Sequence, residues 1–176
     1  MLARATSFRA AAWRSHAILP RAFVASPCRC MAAGSPTEVS VREDVSGPGS
    51  APVPHRHTMT TGRHTFVGDL MPAAGGTDAG PSPKELALLS IGLCTSMTIR
   101  MFADASKFPL RRVGVVVREN TPEGGHLPDG VELDVSLEGE ALSTAQKERL
   151  MRAAERCPVK RMMTGGMRDG VTTRLI

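Results

Sequence analysis

The chain of 176 residues contains no Tyr, and its five Phe and single Trp bring aromatics to only 3% against 41% hydrophobic residues. A core is affordable, but it must be built from Leu, Val, Ile, Met and Ala. The length fits one domain with an extension. No apolar run is read as approaching the roughly 18–20 residues that a membrane span requires, so a membrane role is set aside. Acidic residues are missing altogether from the first 37 positions, as is Lys, while Arg4, Arg9, Arg14, Arg21 and Arg29 lie there. The rest of the chain balances 17 basic against 17 acidic residues, so the formal charge of +5 belongs to the N-terminal segment. It does not mark a binding face, and nucleic-acid binding loses its main support.

What that segment does contain is Arg spaced through Ala, Ser, Phe and Trp13, the composition of an organelle transit peptide with no continuous apolar stretch of secretory type. Arg21-Ala22-Phe23-Val24 is similar to a mitochondrial processing site. Residues 1–31 are therefore read as a transit peptide, mitochondrial first, with a plastid address or a cytosolic form started at Met31 as alternatives. Cys28 and Cys30 end this leader in a C-x-C without a matching Cys/His cluster, so no metal site is expected from them. In a reducing compartment a structural disulfide is disfavoured, which leaves Cys94 and Cys157 as thiols able to change state.

Residues 32–54 are rich in Gly, Pro and Ser and read as a tether, with Val39–Arg42 as one edge strand. The domain is placed at 55–176. His55 to Asp69 suggests two short strands turning at Thr61-Gly62, followed by a Gly-rich loop over 73–81. Ser82-Pro83-Lys84-Glu85 has the pattern of a capping box with Pro in the first turn. The helix it opens should run to about Ser106 and is apolar on all faces up to Arg100, so burying it requires a wrapped sheet or a partner subunit. Arg112–Glu119 and Val131–Leu137 read as strands, the second with strict alternation. Ser143-Thr144-Ala145-Gln146 is a second capping box, for a helix to about Arg156 that puts Leu150, Ala154 and Cys157 on one stripe. Pro158 is expected to end that helix, and Val171–Ile176 to form a last strand. The order defines an α+β domain rather than a doubly wound sheet.

Taken singly, neither cysteine declares a role. Cys94 sits mid-helix among apolar residues, where a free thiol is either packed core or a nucleophile that needs a cation or donors to ionise. Cys157 is placed at a helix C-terminus, which disfavours a thiolate, with Lys160 and Arg161 close behind, which favour one.

The longer pattern decides between these readings. Gly75 to Leu86, then Gly92-Leu93-Cys94-Thr95-Ser96-Met97-Thr98 and Arg100-Met101-Phe102-Ala103-Asp104, together with Leu137-Glu138-Gly139 and Glu155-Arg156-Cys157-Pro158-Val159, resemble the signature of the OsmC/Ohr family over about His57 to Ile176. The resemblance implies an intertwined homodimer in which antiparallel sheet wraps around long central helices. It also implies thiol-dependent reduction of hydroperoxides, organic ones foremost, in the manner of a peroxiredoxin-like thiol peroxidase. Cys94 would be peroxidatic and Cys157 resolving. No metal or bound cofactor is implied, only an external dithiol or thiol reductant. Family peroxidases add an Arg and a Glu at the reactive sulfur. Glu85 lies near the acidic position, although the Ohr-type acid falls on Lys84; Arg56 and Arg63 are the candidate cations, and His64 a substrate-binding candidate. Lys160 stands where relatives commonly carry His. The alternative from another class is a non-catalytic module that binds a small thiol or apolar ligand, or senses oxidants.

Overall fold

The computed structural model describes residues 38–45, 52–123, 128–167 and 171–175. The transit-peptide expectation, with Met31, Cys28 and Cys30, lies outside these residues. Strands β1 (Val39–Val45), β2 (Pro52–Thr61) and β3 (His64–Gly68) form one antiparallel sheet in that order. The expected edge strand is therefore longer than Val39–Arg42, and β2 begins inside the segment read as a tether. The β2–β3 turn is made at Gly62-Arg63, with Thr61 paired to His64. Helix α1 (Pro83–Ala105) follows, then the hairpin β4 (Arg112–Asn120) and β5 (Gly130–Glu138), and helices α2 (Thr144–Ala154) and α3 (Pro158–Gly165).

The alternation in β4 and β5 explains how the hairpin packs. Val113, Val115 and Val117 pair with Leu137, Val135 and Leu133 and are partly buried, whereas Val116, Arg118, Glu132 and Asp134 occupy the exposed face. Arg118 pairs there with Asp134. The apolar face covers one side of α1, and the approach is close: a Cβ on Gly92 would stand 2.9 Å from Val117 Cγ2. Helices α2 and α3 cover a second side. Ile99 and Ala103 of α1 meet Leu150 and Ala154 of α2, with Leu110 and Leu142 closing the cluster. Phe102 and Phe108 meet edge to face at 6.1 Å, under the guanidinium of Arg149.

Three expectations need correction. Residues 171–175 are exposed and form no strand, because no strand edge among the described residues pairs with them. Pro158 does not end a helix: α2 stops at Ala154, and Pro158 occupies the first turn of α3, where its missing N–H leaves no bond unmade. The 23-residue α1 is, by length and apolarity, long enough to cross a membrane, contrary to the reading that no run approaches this. Its ends carry Lys84, Glu85, Arg100 and Asp104, and one face of it is core. The rest of α1 is only half accounted for: Leu89, Leu93 and Met97, at i, i+4 and i+8, are 60, 59 and 54% exposed in the single chain.

Candidate functional site: the Cys94–Cys157 thiol pair

The site depends first on where α1 starts. Ser82 Oγ accepts from the Glu85 amide at 3.3 Å, and Glu85 Oε2 accepts from the Ser82 amide and hydroxyl at 2.8 and 2.7 Å, completing the expected box. The preceding loop is organised by Asp69. Its buried carboxylate accepts from the Leu70, Thr77 and Ala79 amides and from the Thr77 hydroxyl, at 2.6–3.1 Å. Gly76 permits this wrap, since a Cβ there would stand 2.0 Å from Leu70 O. The Thr77 hydroxyl foremost, then the amides, outweigh burial and hold the Asp69 pKa far below the usual carboxylate range. A depressed folded-state pKa means stabilisation that is complete above about pH 4, the unfolded value, and lost as pH falls below it. Asp69→Asn is therefore expected to lower Tm by several degrees at pH 7, with the gap to the parent narrowing between pH 4 and pH 2. Thermal unfolding followed by circular dichroism against pH checks this, and a gap independent of pH contradicts it.

Cys94 lies beyond the buried stripe of Ile91, Thr95, Ile99 and Ala103, half-buried on the side of α1 that meets α3. Cys157 is wholly buried at the N-cap of α3, where its sulfur accepts the Lys160 amide at 3.5 Å. This reverses the expected electrostatics, because a helix N-terminus favours a thiolate. The Lys160 ammonium is turned away to Glu155 Oε2 at 2.5 Å, so it is the backbone of Lys160 rather than its charge that serves the sulfur. Both cysteines are free, and each bears on the acidity of the other.

The two thiols are driven apart in acidity. Burial raises the Cys94 pKa, against the Val159 amide and with the Cys157 sulfur adding to the rise. At Cys157 burial also opposes ionisation, but the Lys160 amide, the Thr95 hydroxyl, the Cys94 thiol and the Val159 amide outweigh it and lower the pKa. The arrangement makes Cys157 the more acidic and Cys94 the less acidic of two free thiols.

The other candidates are not gathered around this pair. Glu85 is nine residues before Cys94, and at about 100° and 1.5 Å per residue this puts it on the opposite face of α1, about 13 Å along the axis. Its carboxylate is occupied by the cap. Lys84 pairs with Glu119 at 2.7 Å. Arg56 Nε pairs with Asp44 Oδ2 at 3.0 Å, and Arg63 and His64 are exposed at the β2–β3 turn. None of these groups contributes to the shift at either thiol. Sequence reasoning passed over Thr95 and Asp69. Thr95 was detectable as the one hydroxyl on the i, i+4 stripe Ile91–Thr95–Ile99; Asp69 carried no signal beyond its place before a Gly-rich loop.

An α+β domain with a mid-helix thiol facing a thiol at a second helix's N-terminus defines a class of two-thiol proteins. The chain belongs to the OsmC-like protein family, whose model matches residues 76–168, more than half of the chain and including both cysteines. No curated protein matches it. Among solved structures, it is similar to an OsmC-like protein from Mycoplasma pneumoniae (16% identity, 74% of this chain and 88% of that one, TM-score 0.58). It is also similar to a hypothetical protein from Aquifex aeolicus (15%, 74% and 89%, 0.57) and to an OsmC-like protein of unknown function from Vibrio cholerae (16%, 81% and 100%, 0.56). These likenesses establish the fold, which takes in β1–β3 as well as the matched segment.

Proposed function

We propose that the protein is a thiol peroxidase that reduces hydroperoxides through Cys94 and Cys157. The observation that carries this reading is a pair of free thiols on the packed helices α1 and α3, one partly exposed and one buried, each bearing on the other's acidity in opposite directions. Cys94, the accessible sulfur, attacks the terminal peroxide oxygen as its thiolate. The S–O bond forms, the O–O bond breaks, the alkoxide leaves and takes a proton from solvent to become the alcohol, and the sulfur is left as a sulfenic acid. Cys157 condenses with it, a disulfide forms and water leaves. An external dithiol or thiol then reduces the disulfide by exchange. Organic hydroperoxides suit the site better than hydrogen peroxide, because Ile91 and Met97 flank Cys94 on α1. Residues of this chain suffice for the chemistry, without a metal or bound organic cofactor. The exposed Leu89–Leu93–Met97 stripe supports a homodimer with α1 at its centre, and the acid-free leader supports a mitochondrial setting.

The second reading, an oxidant sensor or ligand-binding module, is favoured by one observation: Arg56, Arg63 and Glu85 take no part in the electrostatics of Cys94 within one chain. Titrating the reduced protein with cumene hydroperoxide while counting thiols separates the two. The peroxidase loses two thiols per chain within seconds to minutes and regains them with dithiothreitol over repeated cycles. Thiols that persist for hours in millimolar peroxide favour the module.

A further inference from the structure

Charge is segregated along this chain. Residues 38–142 hold fourteen acidic side chains against nine basic ones, whereas residues 143–167, which contain α2 and α3, hold six basic against two acidic. A domain that is neutral as a whole thus gathers positive charge on the two helices that bracket Cys157. The exposed surface agrees with the count. Helix α2 buries Leu150, Ala153 and Ala154 and turns Lys147, Met151 and Arg152 to solvent, with Arg156 exposed just beyond its end. The two acids are taken up locally: Glu148 stands 3.9 Å from Arg152, and Glu155 holds Lys160. Among the described residues, Lys147, Arg156 and Arg161 are left without an ion pair. Arg156 directly precedes Cys157, and the Arg161 amide donates to Cys157 O at 3.0 Å, so both cations border the end of α3 that holds the buried sulfur.

Resting on the two-cysteine reading above, we propose that the exposed side of α2 and α3 is the docking surface for the reductant, an acidic protein that carries a dithiol. Cations without counter-ions attract and orient a partner of opposite charge. The apolar side chains exposed on these helices include Met151, Met162 and Met163, and thioethers adapt to varied protein surfaces. Helices that lie on anionic bilayers present Trp, Phe or Leu instead, and none of these is exposed on α2 or α3. A second copy is a poor occupant, because across a two-fold axis this face would meet its own charge.

Docked there, the partner brings its dithiol beside the helix that Cys157 caps. One partner thiolate attacks a sulfur of the Cys94–Cys157 disulfide. A bond forms between the two proteins as the internal S–S bond breaks, and the freed sulfur takes a proton. The partner's second thiol loses its proton, attacks the partner's own linked sulfur and displaces the remaining sulfur of this chain, which is protonated in turn. Dithiol and disulfide exchange states: two electrons pass from the partner to this chain, and two protons end on Cys94 and Cys157.

The test uses the full chain, oxidised with diamide, and two synthetic C-x-x-C dithiol peptides that differ only in their flanks, Glu-rich in one and Lys-rich in the other. At low ionic strength the Glu-rich peptide should reduce the parent about tenfold faster than the Lys-rich one, and the ratio should fall toward one at about 0.5 M salt. The triple variant Arg152→Glu, Arg156→Glu, Arg161→Glu should invert the ratio, while uncharged dithiothreitol reduces parent and variant at rates within about twofold. A gain of rate with the Lys-rich peptide is something that loss of fold does not produce. The five leader arginines are common to both proteins, so a preference that survives the reversal belongs to them and overturns the proposal. A parent with no preference overturns it too. So does sedimentation of the parent, but not the variant, with phosphatidylglycerol vesicles at about 0.15 M salt, which assigns the face to a membrane. A parent mass above that of a dimer, lowered by the reversal, assigns the face to a second copy and likewise overturns it. Fluorescence anisotropy of the same peptides with Ser for Cys reads docking without redox chemistry. If diamide produces no Cys94–Cys157 disulfide, the two-cysteine reading fails, and the anisotropy still decides whether an acidic partner docks on this face.

Discussion

Cys94→Ser is expected to abolish hydroperoxide consumption, lowering the rate by at least about three orders of magnitude, as loss of a nucleophile does elsewhere. A serine hydroxyl stays protonated at neutral pH, and its oxygen is too poor a nucleophile toward a peroxide to replace sulfur. Cys157→Ser should behave differently. Its Cys94 retains access to peroxide but loses the resolving thiol, so it should oxidise once and stop as a sulfenic acid that dimedone captures. Consumption followed by a ferrous-xylenol orange assay, with mass spectrometry of the trapped adduct, distinguishes the two variants. Equal residual activity in both would contradict the assignment of separate roles. The fold should survive each exchange, because Ser is smaller than Cys by little and neither thiol belongs to the Ile99–Leu150 cluster.

Leu93→Asp is expected to convert the protein from dimer to single chain. Leu93 is the middle of the exposed stripe Leu89, Leu93 and Met97, and the same helix carries core on its other side. In a two-fold interface the same patch meets itself, so α1 would face α1. One Asp per chain would then bring two carboxylates together in an apolar seam, where an unpaired buried charge costs several kcal/mol. The dissociation constant should rise by 10²-fold or more, on the order of 3 kcal/mol. Light scattering after size exclusion should give twice the chain mass for the parent and the chain mass for the variant. A parent at single-chain mass, or a variant that remains dimeric, would contradict the α1-centred dimer. Unchanged thermal unfolding of the variant at low concentration would locate the effect at the interface.

Much of this was legible in the sequence for identifiable reasons. Both capping boxes, at Ser82 and Ser143, form as read, because Ser at the N-cap and Glu or Gln three residues on satisfy the same amides wherever they occur. The β4–β5 hairpin follows from strict alternation, which fixes one apolar face. The break at Cys157 was misread because Pro158 has two meanings: it cannot continue a helix, but it is well suited to start one, and only the end of α2 at Ala154 selects the second. That single difference turns Cys157 from a sulfur at an unfavourable helix end into one at a favourable end. Glu85 was nominated by its place near the family's acidic position, yet a separation of nine on a helix points away from Cys94. The Arg candidates could not be sorted by local pattern, since the partner of Arg56, Asp44, comes from another strand. The all-round apolarity of α1 was correctly seen, and the chain alone covers only part of it.

The central claim is that Cys94 and Cys157 of one chain form a redox unit. Its most direct test is peptide mapping without reduction, after the reduced protein is treated with one equivalent of cumene hydroperoxide and alkylated. The account predicts a single disulfide joining the Cys94 and Cys157 peptides within the same chain, with monomer mobility in a non-reducing denaturing gel. Cys94 and Cys157 both alkylated, or Cys94 linked to a second chain, would contradict it.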